Sequence, residues 1–274
     1  MISLKQNAYQ KLVPIYGEGE TRALIRALEE DLLVLPQITL DGHDLSTWNE
    51  AVRRLMNHEP VAYITGKAYF LHLKLKVNKW VLIPRPETET LVTEAIEQLR
   101  NITRPRVLDI GTGSGCIALA IRSAFKESEV FGLDIEDQVL KVAQENALQY
   151  QLSVEWLLSD ILKQEEWPSL PYDLDIIISN PPYIQEIEKK YMSVSTLEFE
   201  PASALFAGDD PVRFYKAIVA FGLTHLKPGG RIMVEINEFL VGETMAAMNI
   251  SGFTNPEWIQ DLSGKNRIIY MVKL

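Results

Sequence analysis

The sequence predicts an α/β fold in which a doubly wound, mainly parallel sheet follows an N-terminal helical segment. Three observations predict it. Residues 1 to about 65 carry apolar side chains at helical spacing. Beyond them, short apolar runs alternate with amphipathic stretches. Four of those runs close on Asp109, Asp134, Asp160 and Asn180, polar side chains at the carboxyl ends of successive strands.

In the helical segment, Leu24, Ile25, Leu28, Leu32 and Leu35 form one stripe, which Pro36 ends. Asp44 to His58 carries Trp48, Val52, Leu55 and Met56 on one face, with Thr47 and Glu50 spaced as a capping box. These patterns predict a small helical bundle over residues 1–66, with the stripes as its core. Next, Leu71, Leu73, Leu75 and Val77 alternate, followed by Asn78-Lys79 and then Trp80-Val81-Leu82-Ile83. That predicts a β-hairpin turning at Asn78, within a linker over residues 67–85 ended by Pro84 and Pro86. Glu87 to Asn101 reads as a helix with Leu91, Ala95, Ile96 and Leu99 inward. Its first-turn acids Glu87 and Glu89 carry two readings, ligands for a cationic group or partners of the helix dipole.

The sheet begins with Arg106-Val107-Leu108-Asp109-Ile110. Gly111-Thr112-Gly113-Ser114-Gly115 follows, then an apolar helix from Cys116. Strand, glycine turn and helix make the nucleotide-binding arrangement of a doubly wound sheet. The dinucleotide fingerprint would need glycine where Cys116 stands. The string here is D-x-G-x-G-x-G, typical of S-adenosylmethionine enzymes, which have no pyrophosphate to cradle. The second strand, Glu129 to Leu133, ends in Asp134 nineteen residues after Gly115, placed to accept hydrogen bonds from ribose hydroxyls beside Ile135. Asp137 is the better-placed cap for the following helix, leaving Asp134 for a ligand. Ser153 to Leu158 is the third strand. Beyond it, the architecture is expected to border an adenine, with Asp160 available to its exocyclic amine and Ile161 able to pack on its ring.

Leu174-Asp175-Ile176-Ile177-Ile178-Ser179 reads as a buried strand stopped by Asn180-Pro181-Pro182-Tyr183. Proline disfavours the helical region for the residue before it, so Asn180 is held at a stiff corner. Such a corner suits gripping a planar NH2 group. The Asn180 oxygen and a Pro181 carbonyl each accept one N–H, and the Tyr183 ring covers the plane. The same residues also suit an ordinary strand-ending turn. Later, Arg231 to Ile236 is a strand after Pro228-Gly229-Gly230. Strands around Glu257 to Ile259 and Arg267 to Val272 pair antiparallel across a turn with Gly264.

With these motifs in place, the chain resembles the peptide chain release factor glutamine N5-methyltransferases, the HemK or PrmC type. The resemblance rests on Tyr63-Ile64-Thr65-Gly66, on Val81-Leu82-Ile83-Pro84-Arg85-Pro86-Glu87-Thr88-Glu89, on Asp109 to Gly115 and on Asn180 to Ile184. Phe199-Glu200-Pro201, Ala204 to Gly208 and Ser263 to Arg267 extend it. It implies a Rossmann-like, seven-stranded, S-adenosylmethionine-dependent methyltransferase fold over residues 86–274, with one reversed strand, and agrees with the strand spacing. It implies S-adenosyl-L-methionine as cofactor, bound by Asp109, Gly111, Thr112, Gly113, Ser114, Gly115, Asp134, Ile135, Asp160, Ile161 and Asn180. Catalysis falls to Asn180, Pro181, Pro182 and Tyr183, and these with Ile184 bind the substrate. The substrate implied is the glutamine of the Gly-Gly-Gln loop in class I release factors, with the helical segment contacting that protein. One departure is the loop Asp209-Asp210-Pro211, which is given no role.

Composition sets outer bounds. With 47% apolar residues in 274, the chain can bury a large core, and no run is long enough to span a membrane. A single cysteine, Cys116, forbids an internal disulfide, fits a reducing cytoplasm and reads as a packed thiol. The four histidines, His43, His58, His72 and His225, lack metal-ligand spacing, so no metal is expected. A net charge of −10 disfavours duplex DNA and suits a basic protein partner. A monomer with no direct nucleic-acid substrate is expected. Rival readings are a glutamine methyltransferase of a large-subunit ribosomal protein, an N6-adenine DNA methyltransferase, a non-catalytic binding module and a nicotinamide oxidoreductase.

Overall fold

A computed structural model describes residues 4–32, 42–261 and 263–274. The helical segment contains α1 (Leu4–Leu32), α2 (Gly42–Met56) and α3 (Val61–Thr65). Two helices make up α1, joined at a kink where Gly17 takes φ 73°, three residues after Pro14. Proline removes a ladder donor, and glycine accepts the left-handed step. Ala8, Leu12, Ile25 and Leu28 pack there against Trp48, Ala51, Val52 and Leu55. Leu35 and Pro36 lie outside the described residues. The capping box expected at Thr47 and Glu50 is corrected: α2 starts at Gly42, so both sit inside it, and Glu50 accepts from Arg53 Nε at 2.8 Å.

The hairpin is real but lies earlier than the alternation suggests. It consists of β1 (Lys67–Phe70) and β2 (Leu73–Lys76), with Phe70 opposite Leu73. The turn falls at Leu71-His72, with Leu71 at φ 50°. Lys67 to Phe70 alternates as well: Ala68, Phe70, Leu73 and Leu75 are all buried. Trp80 to Ile83 forms no strand, because Asn78 folds the chain back on itself. Its side chain accepts Trp80 N at 3.0 Å and its carbonyl accepts Val81 N at 3.1 Å. Tyr63 Oη donates to the Val81 carbonyl at 2.7 Å. Glu200 accepts both Ile83 N at 3.2 Å and the Arg85 guanidinium at 2.5 Å. Residues 78–85 are thus an anchored extended strap.

The remaining elements are α4 (Pro86–Leu99), β3 (Arg106–Ile110), α5 (Cys116–Ala124), β4 (Glu129–Asp134), α6 (Asp137–Tyr150), β5 (Glu155–Leu158) and β6 (Leu174–Ser179). After them come α7 (Val194–Phe199), α8 (Ala202–Leu205), α9 (Arg213–His225), β7 (Leu226–Glu235), α10 (Val241–Met248), β8 (Glu257–Gln260) and β9 (Asn266–Val272). The sheet has seven strands in the order β5-β4-β3-β6-β7-β9-β8, with β9 antiparallel to both neighbours. Every position of β6 is buried. Ile176 and Ile178 pack with the α4–α5 layer and Ile177 with the α9 layer, following the two-residue period of a strand. Strand order reverses at the β3–β6 pair, and the crevice outside its carboxyl ends is where such sheets bind ligands.

Two local expectations are corrected. Glu136, not Asp137, is the N-cap of α6; Asp137 lies in the first turn and pairs with Lys141 at 2.6 Å. And β7 starts at Leu226, carrying Pro228-Gly229-Gly230 through a register shift against β6.

Gly132 on β4 marks the tightest approach in the sheet. A Cβ there would lie 2.5 Å from the Trp156 ring of β5. Gly132→Ala should therefore cost about 1–3 kcal/mol by overpacking, read as a lowered urea midpoint. Adding Trp156→Leu should recover part of the loss. An unchanged midpoint for Gly132→Ala would contradict this packing.

Candidate active site

The site is built at the carboxyl ends of β3, β4, β5 and β6. Asp109, the fourth residue of β3, is fully buried. Its Oδ2 accepts the Thr112 hydroxyl at 2.6 Å and Ala118 N at 3.2 Å, drawing the glycine loop and the start of α5 onto the strand end. Burial pushes the Asp109 carboxyl up to about 7; its two hydrogen bonds oppose the rise and the nearby Asp134 adds to it. Gly111 and Gly113 take φ 72° and 55°, with open space where a side chain would project. Gly115 instead backs onto Trp156, Ala143 and Leu119.

Asp134 closes β4. Its Oδ2 accepts Gly113 N at 3.0 Å and its Oδ1 accepts Ile135 N at 2.9 Å. Burial raises this carboxyl, against the backbone donors that favour its charge. Each carboxylate oxygen can accept twice, so capacity remains for a ligand hydroxyl. Beyond β5, Asp160 Oδ1 accepts Leu162 N at 2.9 Å, and the Ile161 carbonyl accepts Trp167 Nε1 at 3.0 Å. Sequence reasoning missed Glu166. It accepts Asp160 N at 2.9 Å and the Ser159 hydroxyl at 2.8 Å. Those bonds and Lys163 hold its carboxyl down at about 2.

The strand ends enclose a cavity of about 400 Å³, lined also by Trp80, Val81, Ser179, Asn180, Pro181 and Pro182. Of the residues expected to hold a cofactor, Gly111, Gly113, Asp134, Ile135, Asp160, Ile161 and Asn180 reach it. Asp109, Thr112, Ser114 and Gly115 stand behind the loop and shape the cavity without lining it. A second cavity of about 90 Å³ shares Leu82, Ala204, Asn180 and Pro181 with the first and is bounded also by Arg85, Tyr183, Ile184 and Thr196. Asn180 and Pro181 are walls of both.

Two more unforeseen residues lie under this partition. Asn180 Nδ2 donates to Thr88 Oγ1 at 3.0 Å, and Thr88 donates to Glu235 Oε2 at 2.6 Å. Tyr183 Oη donates to Glu235 Oε1 at 3.1 Å. Burial and the adjacent Glu235 push the Tyr183 hydroxyl far above the usual phenol range. Burial likewise raises Glu235. The sequence signal was a lone acid at the end of the apolar run Ile232-Met233-Val234. Glu87 and Glu89 line neither cavity; Glu89 accepts Leu71 N at 2.8 Å and so steadies the hairpin turn. Burial pushes the Cys116 thiol up to about 12, which leaves it protonated.

The donor set fits S-adenosyl-L-methionine. A strand-tip carboxylate suits its ribose, the Asp160–Ile161 edge suits adenine, and the uncrowded Gly111–Gly113 backbone admits the methionine end. Among the described residues no cluster of three or more His, Cys, Asp or Glu side chains could hold a metal ion.

Comparison with known proteins agrees. The methyltransferase small domain pattern matches residues 88–208, and the PrmC N-terminal domain pattern matches residues 25–66. The chain is 35% identical over 272 residues to a release factor glutamine methyltransferase of Flavobacterium psychrophilum, covering 95% of this chain and 94% of the relative. A protein of the same name from Bacteroides thetaiotaomicron is 34% identical, with 95% of each chain covered. Among solved structures, a Thermus thermophilus 16S rRNA methyltransferase in complex with AdoMet and guanosine shares the fold. It has TM-score 0.50 and 19% identity, covering 76% of this chain and 50% of that one.

The Asp109 carboxyl gives a pH-dependent prediction. An aspartate that titrates near 3.8 when unfolded and at about 7 when folded contributes stability below 3.8 and loses it as pH rises through about 7. Asp109→Asn removes that dependence. The stability difference between variant and parent, from urea midpoints, should shift in the variant's favour between pH near 4 and pH near 8. A difference independent of pH would contradict the buried assignment.

Proposed function

The chain belongs to the release factor glutamine methyltransferases, and from that premise we propose how its two cavities divide the reaction. The enzyme transfers a methyl group from S-adenosyl-L-methionine to the side-chain nitrogen, N5, of the glutamine in the Gly-Gly-Gln motif of class I release factors. The observation that carries the reading is the partition itself. Asn180 and Pro181 separate a large cavity suited to the cofactor from a small one suited to a single amide side chain.

When bound, the cofactor supplies a methyl group already activated on a sulfonium. The chain supplies position and charge. A carboxamide nitrogen is a poor nucleophile because its lone pair is delocalised. The Asn180 oxygen and the Pro181 carbonyl accept its two hydrogens, fix its plane and favour the positive charge that develops on nitrogen. Tyr183 packs over the amide, and Pro182 and Ile184 complete the pocket and exclude water. The extra proton leaves nitrogen after transfer, so no general base is required beforehand. Behind the larger cavity, Asp109, Thr112, Ser114 and Gly115 hold the loop in its binding shape.

Residues 1–66 recognise the body of the release factor, 67–85 link, and 86–274 carry out transfer. Both cavities lie within one chain, which suits a monomeric enzyme, and release factors place the reaction in the cytoplasm with translation. Among the described residues, no helix is long and apolar enough to cross a membrane. The net charge of −10 favours a basic protein partner over nucleic acid.

Incubation with methyl-labelled S-adenosylmethionine and, separately, a release factor, a large-subunit ribosomal protein and duplex DNA tests the substrate. Label on the Gly-Gly-Gln glutamine is expected; label on the ribosomal protein or DNA alone would reassign it. Asn180→Ala should weaken cofactor binding, read by calorimetry, far less than it lowers turnover, which should fall on the order of 10²–10³-fold, the usual effect of losing one preorganised electrostatic group. Asp134→Ala should do the opposite, weakening cofactor binding most.

A further inference from the structure

We propose that Glu235 is a positioning residue whose carboxylate fixes the orientation of the Asn180 amide and the Tyr183 ring together. The inference rests on the reading of Asn180 as the group that grips the acceptor amide, and it adds what decides which way that group faces.

An asparagine amide is nearly symmetric in shape, and a half-turn about its last bond exchanges an acceptor oxygen for a donor nitrogen. Only one orientation works for gripping an NH2 group, because the oxygen must face it. Nothing in Asn180 itself chooses between the two. The choice comes from the hydrogen-bond chain beneath it. The Thr88 hydroxyl has a single hydrogen, and it goes to Glu235 Oε2, 2.6 Å away. Thr88 Oγ1 then has only lone pairs to offer Asn180, 3.0 Å away, and the atom facing it must be Nδ2. The planar amide consequently turns Oδ1 away from Thr88, leaving it for the acceptor. Reversing the amide would set its oxygen against the oxygen of buried Thr88, at a half-buried contact where an unmade bond is costly.

The second oxygen of the same carboxylate accepts the Tyr183 hydroxyl at 3.1 Å, which fixes the ring that covers the acceptor. The sheet places this carboxylate level with both. Ser179 of β6 is paired with Val234 of β7, so Asn180 and Glu235 are the next residues along each strand. Tyr215 Oη donates to the Glu235 carbonyl at 3.0 Å and pins that strand end. Thr88, buried in the first turn of α4, supplies the intervening hydroxyl. The side chain of Glu235 is almost wholly withdrawn from solvent, so water cannot substitute for either donor.

Three substitutions test this. Thr88→Val keeps the shape and removes the hydroxyl; Thr88→Ser restores the hydroxyl. Glu235→Gln brings an NH2 donor that can reverse the chain's polarity, letting Thr88 donate to Asn180. We expect Thr88→Val and Glu235→Gln each to lower kcat by about 10- to 100-fold, the effect of one misplaced buried hydrogen bond. The cofactor Kd should stay near that of the parent. Thr88→Val should also melt lower, because it leaves the buried Glu235 carboxylate short of a donor. Every kcat is therefore read well below the melting temperature, and Thr88→Ser should recover most of kcat. The two losses should not multiply in the double variant, because both break one chain. Near-parental kcat for Thr88→Val overturns the proposal, as does a Thr88→Ser loss equal to that of valine. Should Glu235→Gln fail to fold, the valine–serine pair still decides. Asn180→Ala, measured alongside, separates this idea from its premise. Normal turnover there removes the grip itself, whereas a slow Asn180→Ala with a normal Thr88→Val removes only the orienting role of Glu235.

Discussion

A carboxylate taken out of water must be met by donors, or it costs on the order of several kcal/mol; that constraint organises this protein. Asp109, Asp134, Glu200 and Glu235 are all buried, and all lie where chain segments converge on the carboxyl edge of the sheet. Each has drawn in donors, although Asp109 is met only at Oδ2 and its Oδ1 has no partner among the described residues. Asp109 takes the Thr112 hydroxyl and the start of α5, Asp134 takes the backbone of Gly113, Glu200 takes Ile83 and Arg85, and Glu235 takes Thr88 and Tyr183. The loops around the two cavities therefore have few other ways to lie. The cavities follow from acids buried for their hydrogen bonds.

The same device joins the helical segment to the sheet. Asp31, at the end of α1, is buried; its carboxylate pairs with Lys74 of β2 at 2.5 Å, and its carbonyl accepts from Lys67 of β1 at 2.7 Å. From the other side, β2 is held by Asn146 of α6, which accepts Lys76 N at 2.6 Å and donates to the Lys76 carbonyl at 3.0 Å. Asn146 also donates to the Ser114 carbonyl at 2.9 Å, so the hairpin bears directly on the glycine loop. The end of α1 and the glycine loop are thus both bonded to the hairpin or to the residue that holds it.

Much of the fold was legible because parallel strands leave a strong mark. β3, β4 and β6 are largely apolar on both faces and carry a polar residue at or next to their carboxyl ends, and a strand that must stop at two prolines can be placed to within a residue. The helical stripes were equally plain. The hairpin lies earlier than expected because Leu71 to Val77 alternates convincingly, while Lys67 to Phe70 interleaves its two buried positions, Ala68 and Phe70, with a lysine and a tyrosine. Whether Asn78 turns a hairpin or folds into a local loop depends on what Val81 and Ile83 bond to, and those partners, Tyr63 and Glu200, are far along the chain.

For the site, the sequence by itself determined the chemical parts: the acid at each strand tip, the glycines that leave backbone uncovered, and the asparagine fixed at a stiff corner. These are local properties, set by backbone stereochemistry and by the period of a strand. The tertiary structure decided which parts face a ligand and which stand behind it. It put Asp109 out of contact with the cavity, made Asn180 a wall between two cavities, and laid Thr88 and Glu235 beneath it. A hydrogen-bond chain among residues 88, 180, 183 and 235 leaves no mark in local sequence. It comes into being only when β6, β7 and α4 meet and exclude the water that would otherwise satisfy each group alone.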